Sequence, residues 1–433
     1  MSPAMIVGLC VGLPLLGAGA ILALGRWPNA RDTAGIVTGG ILFSLVLRLV
    51  DPILAGLQPE HLILEVLPGI ELSLKVEPLG LLFALVASFL WIVTTLYAVG
   101  YMRGHHEKNQ TRFFVFFAIA IACAMGVAFS ANLFTLFAFY EAITLCTFPL
   151  VTHHGTPEAK KAGRVYLGIL LTTSIGFQLL AIIWTWHLAG TLDFREGGIL
   201  AGTASTGVLS VLLILFVFGA GKAAVMPFHR WLPAAMVAPT PVSALLHAVA
   251  VVKVGVFTIL KVAVYVFGLD LLGTLASASW LAWVAAVTII LGSLVAFTKD
   301  NLKARLAYST ISQLSYIVLG ALLANEWGVI GGGMHIAMHA FGKITLFFAA
   351  GAVLVAAHEK DISRMHGLGR RMPITFGAFF VGSLSIIGVP PAGGAWSKWF
   401  LGMGTLEAGQ IGLLVVLMVS SLLSLVYLLE VPI

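Results

Sequence analysis

Between Pro78 and Tyr101 the chain runs 24 residues without an Asp, Glu, Lys or Arg, and apolar stretches of 18 or more residues with at most one charge recur along its length. About 20 such residues, wound at 1.5 Å each, cross the roughly 30 Å hydrocarbon core of a bilayer, where only helices and closed barrels satisfy their own backbone. Runs this long, without period-two alternation, select helices. Of the 433 residues 60% are apolar and 10% charged, against about 25% charged in soluble domains. The expected fold class is therefore an all-α polytopic membrane protein, and a soluble enzyme is excluded. The net charge of +6 belongs to loops beside a membrane, so no nucleic-acid partner is expected.

Hydropathy and loop punctuation give about 13 transmembrane helices: Pro3–Leu24, Thr33–Ile53, Pro78–Tyr101, Arg112–Ser130, Asn132–Thr152, Gly163–Ala189, Gly207–Met226, Thr240–Phe267, Ser277–Phe297, Ala304–Ala324, Trp327–Ala357, Met372–Gly402 and Gly409–Leu429. Alternate connections hold 16 of the 24 Lys and Arg, whereas the opposite ones hold only Lys75 and Arg195. Basic residues collect in cytoplasmic loops, which places the N-terminus outside a prokaryotic-type inner (plasma) membrane. The start of the chain lacks the basic region and cleavage site of a signal peptide. Cys10, Cys123 and Cys146 lie in apolar stretches with neither disulfide nor metal-ligand spacing. In the outer connection after the second helix, Ile70-Glu-Leu-Ser-Leu-Lys-Val-Glu77 alternates with period two behind Pro68-Gly69, the pattern of a small β-hairpin.

Two spans carry proline where a span should be continuous. Pro227 ends the seventh and Pro390-Pro391 cut the twelfth. Proline frees backbone groups at membrane depth, which must then face protein or water. The breaks lie five helices apart, and an odd number of spans per unit inverts one copy relative to the other. Two inverted five-helix repeats, each with a Pro-broken helix, are the expected organisation: 1–111 as three N-terminal helices with the hairpin, 112–267 as the first repeat and 268–433 as the second. Paired broken helices in inverted repeats point to a transport pathway; two unrelated proline kinks are the plainer alternative.

Six cations fall inside spans: Arg48, Lys222, Lys253, Lys261, Lys343 and Lys398. A charge at mid-membrane costs about 2.5–3.5 kcal/mol on insertion scales, so several together need a reason. Arg48 and Lys261 lie near span ends, where a long side chain snorkels to the interface. Glu141 and Lys222 both fall near mid-membrane and are natural partners, either as a helix-to-helix clasp or as a switch. His247 and Lys253, six residues apart, are about 120° apart around their helix, so one would face back toward Lys222 and the other onward. Lys398 follows the second break. His335, His339 and Lys343 stand at i, i+4 and i+8, a stripe about 12 Å long on one helix face.

His-x-x-x-His suits a metal, but no carboxylate or thiol accompanies it and Lys343 continues the same face, so no metal is expected. Gly331-Gly332-Gly333 is expected to loosen this helix into a wetted or bulged segment. Buried lysines and histidines change protonation state as nearby charge moves. Linked by water across gaps of about 2.6–3.2 Å, such groups would carry protons along the midplane. Gly219-Ala-Gly-Lys222 lacks the first glycine and the Ser/Thr of a phosphate-binding loop, and no cofactor or catalytic constellation is expected.

The stretches Phe139-Tyr-Glu141, Gly221-Lys-Ala-Ala-Val-Met-Pro-Phe-His-Arg-Trp-Leu-Pro233, Ala238-Pro-Thr-Pro-Val-Ser-Ala-Leu-Leu-His247, Leu306-Ala-Tyr-Ser-Thr-Ile-Ser-Gln313, His339-Ala-Phe-Gly-Lys343 and Pro390-Pro-Ala-Gly-Gly-Ala-Trp-Ser-Lys398 occur in order. Together they resemble the antiporter-like membrane subunits of Mrp cation/proton antiporters, respiratory complex I and membrane-bound hydrogenases. Lys253, six after His247, looks more like the D branch of the Mrp antiporter subunits than the largest antiporter-like subunit of complex I. The resemblance implies that Glu141 and Lys222 form a switchable ion pair, that His247 and Lys253 are a central relay, that His335, His339 and Lys343 bridge the second repeat, and that Lys398 leads to the exit. It also implies partner membrane subunits, no cofactor, and a fourteenth helix that the thirteen spans do not include.

The expected function is proton translocation within a multisubunit complex, coupled to Na+ or another monovalent cation or driven by redox chemistry as in an NADH:quinone oxidoreductase. A solute carrier whose lysines bind an anionic substrate is the alternative, and a scaffold with structural charge clasps is a third.

Overall fold

The computed structural model describes residues 1–245 and 250–432. In chain order the first elements are α1 (Pro3–Ala23), α2 (Pro28–Leu47), β1 (Glu60–Leu67), β2 (Ile70–Lys75), α3 (Pro78–Gly104), α4 (Gln110–Ala128) and α5 (Leu133–Val151). Next come α6 (Pro157–Ala189), α7 (Thr206–Gly219), α8 (Val251–Val262), α9 (Ala276–Phe297) and α10 (Leu302–Leu322). The last are α11 (Glu326–Ala357), α12 (Pro373–Ile387), α13 (Gly393–Glu407) and α14 (Ile411–Leu429). Proline occupies the first helical position of α1, α2, α3, α6 and α12, where the missing N–H costs nothing.

Among the described residues nine helices are long and apolar enough to cross a membrane: α1, α2 with its continuation to Leu54, α3, α4, α5, α6, α9, α11 and α14. The other four expected spans each depart from that pattern. α7 stops after 14 residues, the described helical parts of the eighth span include Thr240–Ala244 and the 12-residue α8, α10 is polar, and α12 and α13 divide one span between them. α10 buries Arg305, Ser309, Thr310, Ser312, Gln313, Ser315 and Tyr316 inside the bundle. α11 lies at the centre, packed on α3, α8, α10, α12 and α13.

The repeat is visible in local structure. α5 and α10 begin at positions 133 and 302, and α6 and α11 at 157 and 326, each pair 169 apart. Asn132 and Asn301 each cap their helix, the side chain accepting from the N–H three residues on. Each also pairs with an aspartate after the following helix, Asn132 with Asp193 and Asn301 with Asp361. Leu133 N–H donates to Leu192 O at 3.0 Å, as Leu302 N–H does to Lys360 O at 2.9 Å. The hairpin expected from the period-two stretch is present, β1 pairing antiparallel with β2 around Pro68-Gly69. It is seated on the start of α5, where Ala131 N–H donates to Ser73 O and the Asn132 amide to Glu71 O.

Two expectations need correction. The seventh span is interrupted before Pro227: α7 ends at Gly219, and Lys222 stands on a 3-10 turn, Gly221–Ala223. The cause is packing. At Gly219 and Gly221 a Cβ would strike the Gln178 backbone and the Thr173 side chain of α6, and Ala224 then adopts a left-handed φ of 56°, so the helix turns aside while Pro227 lies in the irregular stretch that follows. In the eighth expected span the structure describes a helical segment, Thr240–Ala244, and α8, which begins after Ala250 at φ −100° and ψ −81°; residues 246–249, which include His247, lie outside the described residues. Finally, Gly331-Gly332-Gly333 does not loosen α11, which is α-helical throughout. These glycines admit neighbours instead: a Cβ at Gly331 would meet the Leu401 backbone of α13 at 2.7 Å.

Candidate functional site

Lys222 is fully buried on its 3-10 turn. The turn is held from two sides, by Thr173 and Gln178 of α6 and by α8, whose Gly255 lies against the Lys222–Ala223 backbone where a Cβ would collide. Trp231 Nε1 donates to Gly221 O at 3.0 Å and fixes the return of the chain. Lys222 Nζ donates to Tyr140 O at 2.8 Å and sits 3.2 Å from the centre of the Tyr140 ring; its backbone N–H donates to Tyr140 Oη at 3.1 Å. The expected partner Glu141 is the next residue on α5, yet the ion pair is open: Glu141 Oε1 is buried without a hydrogen bond among the described residues. The lysine is thus solvated by Tyr140, one residue from the Glu141 carboxylate.

Lys253, three residues into α8, is fully buried and points to α11, its Nζ 2.8 Å from His339 Nδ1. This contact joins the two halves of the chain. The rings of His339 and His335 are 5.9 Å apart. His335, nearly fully buried, is stacked 5.5 Å from Tyr316 and tied to Gln313 Oε1 through Nε2 at 3.1 Å and to Ser397 Oγ through Nδ1 at 2.9 Å. Ser397 also reaches Gly394 O at 3.1 Å. One hydroxyl hydrogen serves both contacts: it points to Nδ1 when the imidazole is neutral, and turns to Gly394 O when the imidazolium donates to Oγ. The serine therefore accommodates either charge state without moving a helix.

Lys398 stands in the second turn of α13 with its Nζ 5.0 Å from the centre of the Tyr316 ring. It donates to Ile387 O, the last carbonyl of α12, at 3.0 Å and to Ser421 Oγ of α14 at 2.9 Å. An ammonium thus satisfies a carbonyl that the break at Gly388 leaves orphaned, and it complements the negative end of the half-helix. Lys343, fully buried, reaches from α11 to Leu306 O on the second turn of α10 at 3.3 Å, toward the side carrying the basic loops.

The structure therefore brings together Lys253, His339, His335 and Lys398 through Tyr316, and holds Glu141 and Lys222 as a second centre beneath the packed face of α8. Gln313, Ser397, Tyr140 and Ser421 were not assigned roles from sequence, although each is a polar residue within an apolar stretch. Lys261 corrects the snorkelling expectation: its side chain has no exposure and its Nζ lies 2.9 Å from Glu77 Oε1. Arg48 is exposed, as a snorkelling side chain should be.

On the face carrying the basic loops, Glu107 accepts from His105 Nδ1 at 3.1 Å and His154 Nε2 at 3.2 Å, with His153 Nε2 at 3.9 Å. Burial works to raise the Glu107 carboxyl, but the hydrogen bonds and charges of these histidines outweigh it and hold it below its ordinary value. The same hydrogen bond lifts His154 above the usual imidazole range, whereas burial lowers His153. This cluster fastens the α3–α4 connection to the end of α5.

Residues 130–424 match the family described as NADH:quinone oxidoreductase/Mrp antiporter, and residues 68–114 match the complex I chain 5 N-terminus. The chain belongs to this family. NADH-quinone oxidoreductase subunit N of Desulforudis audaxviator is 33% identical over 426 residues, 97% of this chain and 84% of that one. NAD(P)H-quinone oxidoreductase chain 5 of Picosynechococcus sp. is 30% identical over 368 residues, covering 78% of this chain and 54% of the relative. The chain thus spans about half the length of that chain 5 relative. A chain of the Mrp complex from Dietzia sp. superimposes with a TM-score of 0.89 at 25% identity, covering 100% of this chain and 80% of that one. The fold also recurs in the archaeal membrane-bound sulfane sulfur reductase, at 24% identity and a TM-score of 0.87, covering 99% and 87%.

Proposed function

We propose that this chain is the proton-translocating, antiporter-like subunit of a multisubunit membrane complex. The observation that carries the reading is the buried file Lys253–His339–His335–Tyr316–Lys398, which runs from α8 to the α12–α13 break across the bundle. Each member exchanges a proton or solvates one that does, and Lys222 beside Glu141 forms the switch at the other end. Closing the Glu141–Lys222 pair withdraws positive charge from the file, and opening it returns that charge. Each charge moved against the potential costs about 2.3 kcal/mol per 100 mV, so the switch is coupled to an outside source of at least that size.

The units 1–111, 112–267 and 268–433 act as a docking end and two half-pathways, with the N-terminus outside and partner membrane subunits at the lateral faces. A sodium or other monovalent cation is the coupled ion in an Mrp-type assembly, and quinone reduction the driving reaction in a complex I-type one. The solute-carrier reading is disfavoured because the lysines do not face a substrate space: Lys222, Lys253, Lys343 and Lys398 all direct their Nζ to protein acceptors.

Two measurements test this. In inverted membrane vesicles, Lys222→Ala should abolish proton translocation while the complex stays assembled; normal pumping by the assembled variant refutes the role. Mass spectrometry of what co-purifies in mild detergent separates the drives, since small subunits without redox centres mark an antiporter and iron–sulfur subunits a redox pump.

A further inference from the structure

A buried ion pair that bridges α3 and α8 lies outside the file described above. Glu77, 4% exposed, stands at the start of α3, and Lys261, fully buried, stands on α8 two turns beyond Lys253. Their charged atoms are 2.9 Å apart. Lys261 Nζ also donates to Ser130 O at 2.6 Å and lies 4.4 Å from the centre of the Phe194 ring. On the hairpin side the pair abuts a cavity of about 310 Å³ lined by Gln58, Lys75, Glu77, Arg195, Glu196 and Tyr265, room for roughly ten waters. The chain after Lys261 widens into a π turn, Ala263–Phe267, which presents Tyr265 to this cavity and gives its carbonyl to Arg195 N–H at 3.3 Å.

A pair that only fastened two helices could be replaced by packed apolar side chains at little or no cost, because two buried charges lose about as much hydration as they gain in attraction. In this pair Lys261 belongs to α8, which carries Lys253, and Glu77 lines the cavity. Eight residues of helix separate Lys253 from Lys261, about 12 Å, and Thr258 lies between them with its hydroxyl on Val254 O.

We propose that Glu77 and Lys261 form the outer terminus of the proton path, a site where protons pass between the bundle interior and the solvent-facing cavity beside the hairpin. A proton moves from Lys261 Nζ to Glu77 Oε1, leaving an amine and a carboxylic acid. The acid then gives its proton to solvent in the cavity and returns to carboxylate, and the next proton from the bundle interior restores the ammonium. The groups facing the pair set its charge balance: Lys75, itself paired with Glu60 at 3.1 Å, from β2, and Arg195, Glu196 and Tyr265 from the connections around α8, with Gln58 donating to Glu196 at 3.3 Å.

The proposal rests on the proton-path reading, so the test must separate the two. The assembled complex in sealed vesicles, with pH varied independently on the two sides, is compared for wild type, E77Q, E77D and K253M. Expected are a loss of translocation in K253M, a fall of about tenfold or more in E77Q with loss of the dependence on outer-side pH, and near-normal rates with a shifted outer-side profile in E77D. Full activity of K253M refutes the proton path itself. Inactive K253M together with an outer-side pH profile that E77Q leaves unchanged, at whatever rate, makes the pair a structural clasp and overturns the proposal. Should E77Q fail to assemble, E77D decides: an assembled E77D with the wild-type outer-side profile overturns it equally.

Discussion

Replacing His339 with Leu removes the ring nitrogen that Lys253 Nζ meets at 2.8 Å and leaves an apolar side chain in the space. Both residues are at most 1% exposed, so bulk water does not take the vacated position. A buried polar group stripped of its partner costs about 1–3 kcal/mol, and more when charged. Every state of the pathway in which Lys253 carries a proton becomes costlier by that amount, which slows translocation about 5- to 150-fold at 1.36 kcal/mol per decade. The assay is dye-reported proton movement in vesicles holding the assembled complex. His339→Gln separates solvation from relay, because an amide offers Lys253 an acceptor but does not pass a proton on. H339Q should recover the thermal stability lost in H339L while staying slow. Assembled H339L pumping within twofold of wild type would refute the reasoning.

Tyr140→Phe removes the hydroxyl that accepts Lys222 N–H but keeps the carbonyl and the ring; a loss of about 1 kcal/mol predicts a fall of roughly fivefold in translocation with normal assembly, read in the same vesicles. Gly255→Ala forces a methyl into the Lys222–Ala223 backbone and should lower the melting temperature of the detergent-solubilised complex through an overpacking cost of about 1–3 kcal/mol. In the loop cluster, the depressed Glu107 carboxyl contributes stability that is present above the ordinary carboxyl range and lost as pH falls through its folded value. The raised His154 contributes below the ordinary imidazole range and loses it as pH rises through its own folded value, so the clasp is strongest between those two ranges. Glu107→Gln should bring the His154 titration, followed by NMR of ring-labelled histidine, back toward the ordinary value; an unmoved titration contradicts the clasp.

Much was legible in the chain before any folding. Apolar runs too long for a soluble core determine the membrane class, because the bilayer leaves a backbone few choices. Period two behind Pro68-Gly69 marks the hairpin, and proline marks the break between α12 and α13. Lysines and histidines inside spans marked the site, since an ionisable group at membrane depth is costly enough to need a purpose.

What one dimension could not supply was direction and closeness. Helical spacing places His335, His339 and Lys343 on one stripe, but the neighbours decide what each meets: α10 and α13 take His335, α8 takes His339, and the second turn of α10 takes Lys343. The seventh span breaks at Gly219–Gly221 rather than at Pro227 because α6 and α8 press on it, and a glycine's permission for close approach has meaning only once the other helix is there. Lys261 reads as a snorkelling residue from its place near a span end, and only the folding of Glu77 over it, 184 positions earlier in the chain, turns it inward. Hydropathy and dihedral preference act along the chain and are read from it; pairing of buried charges depends on which helices are neighbours, and that is decided by the packing of the whole bundle.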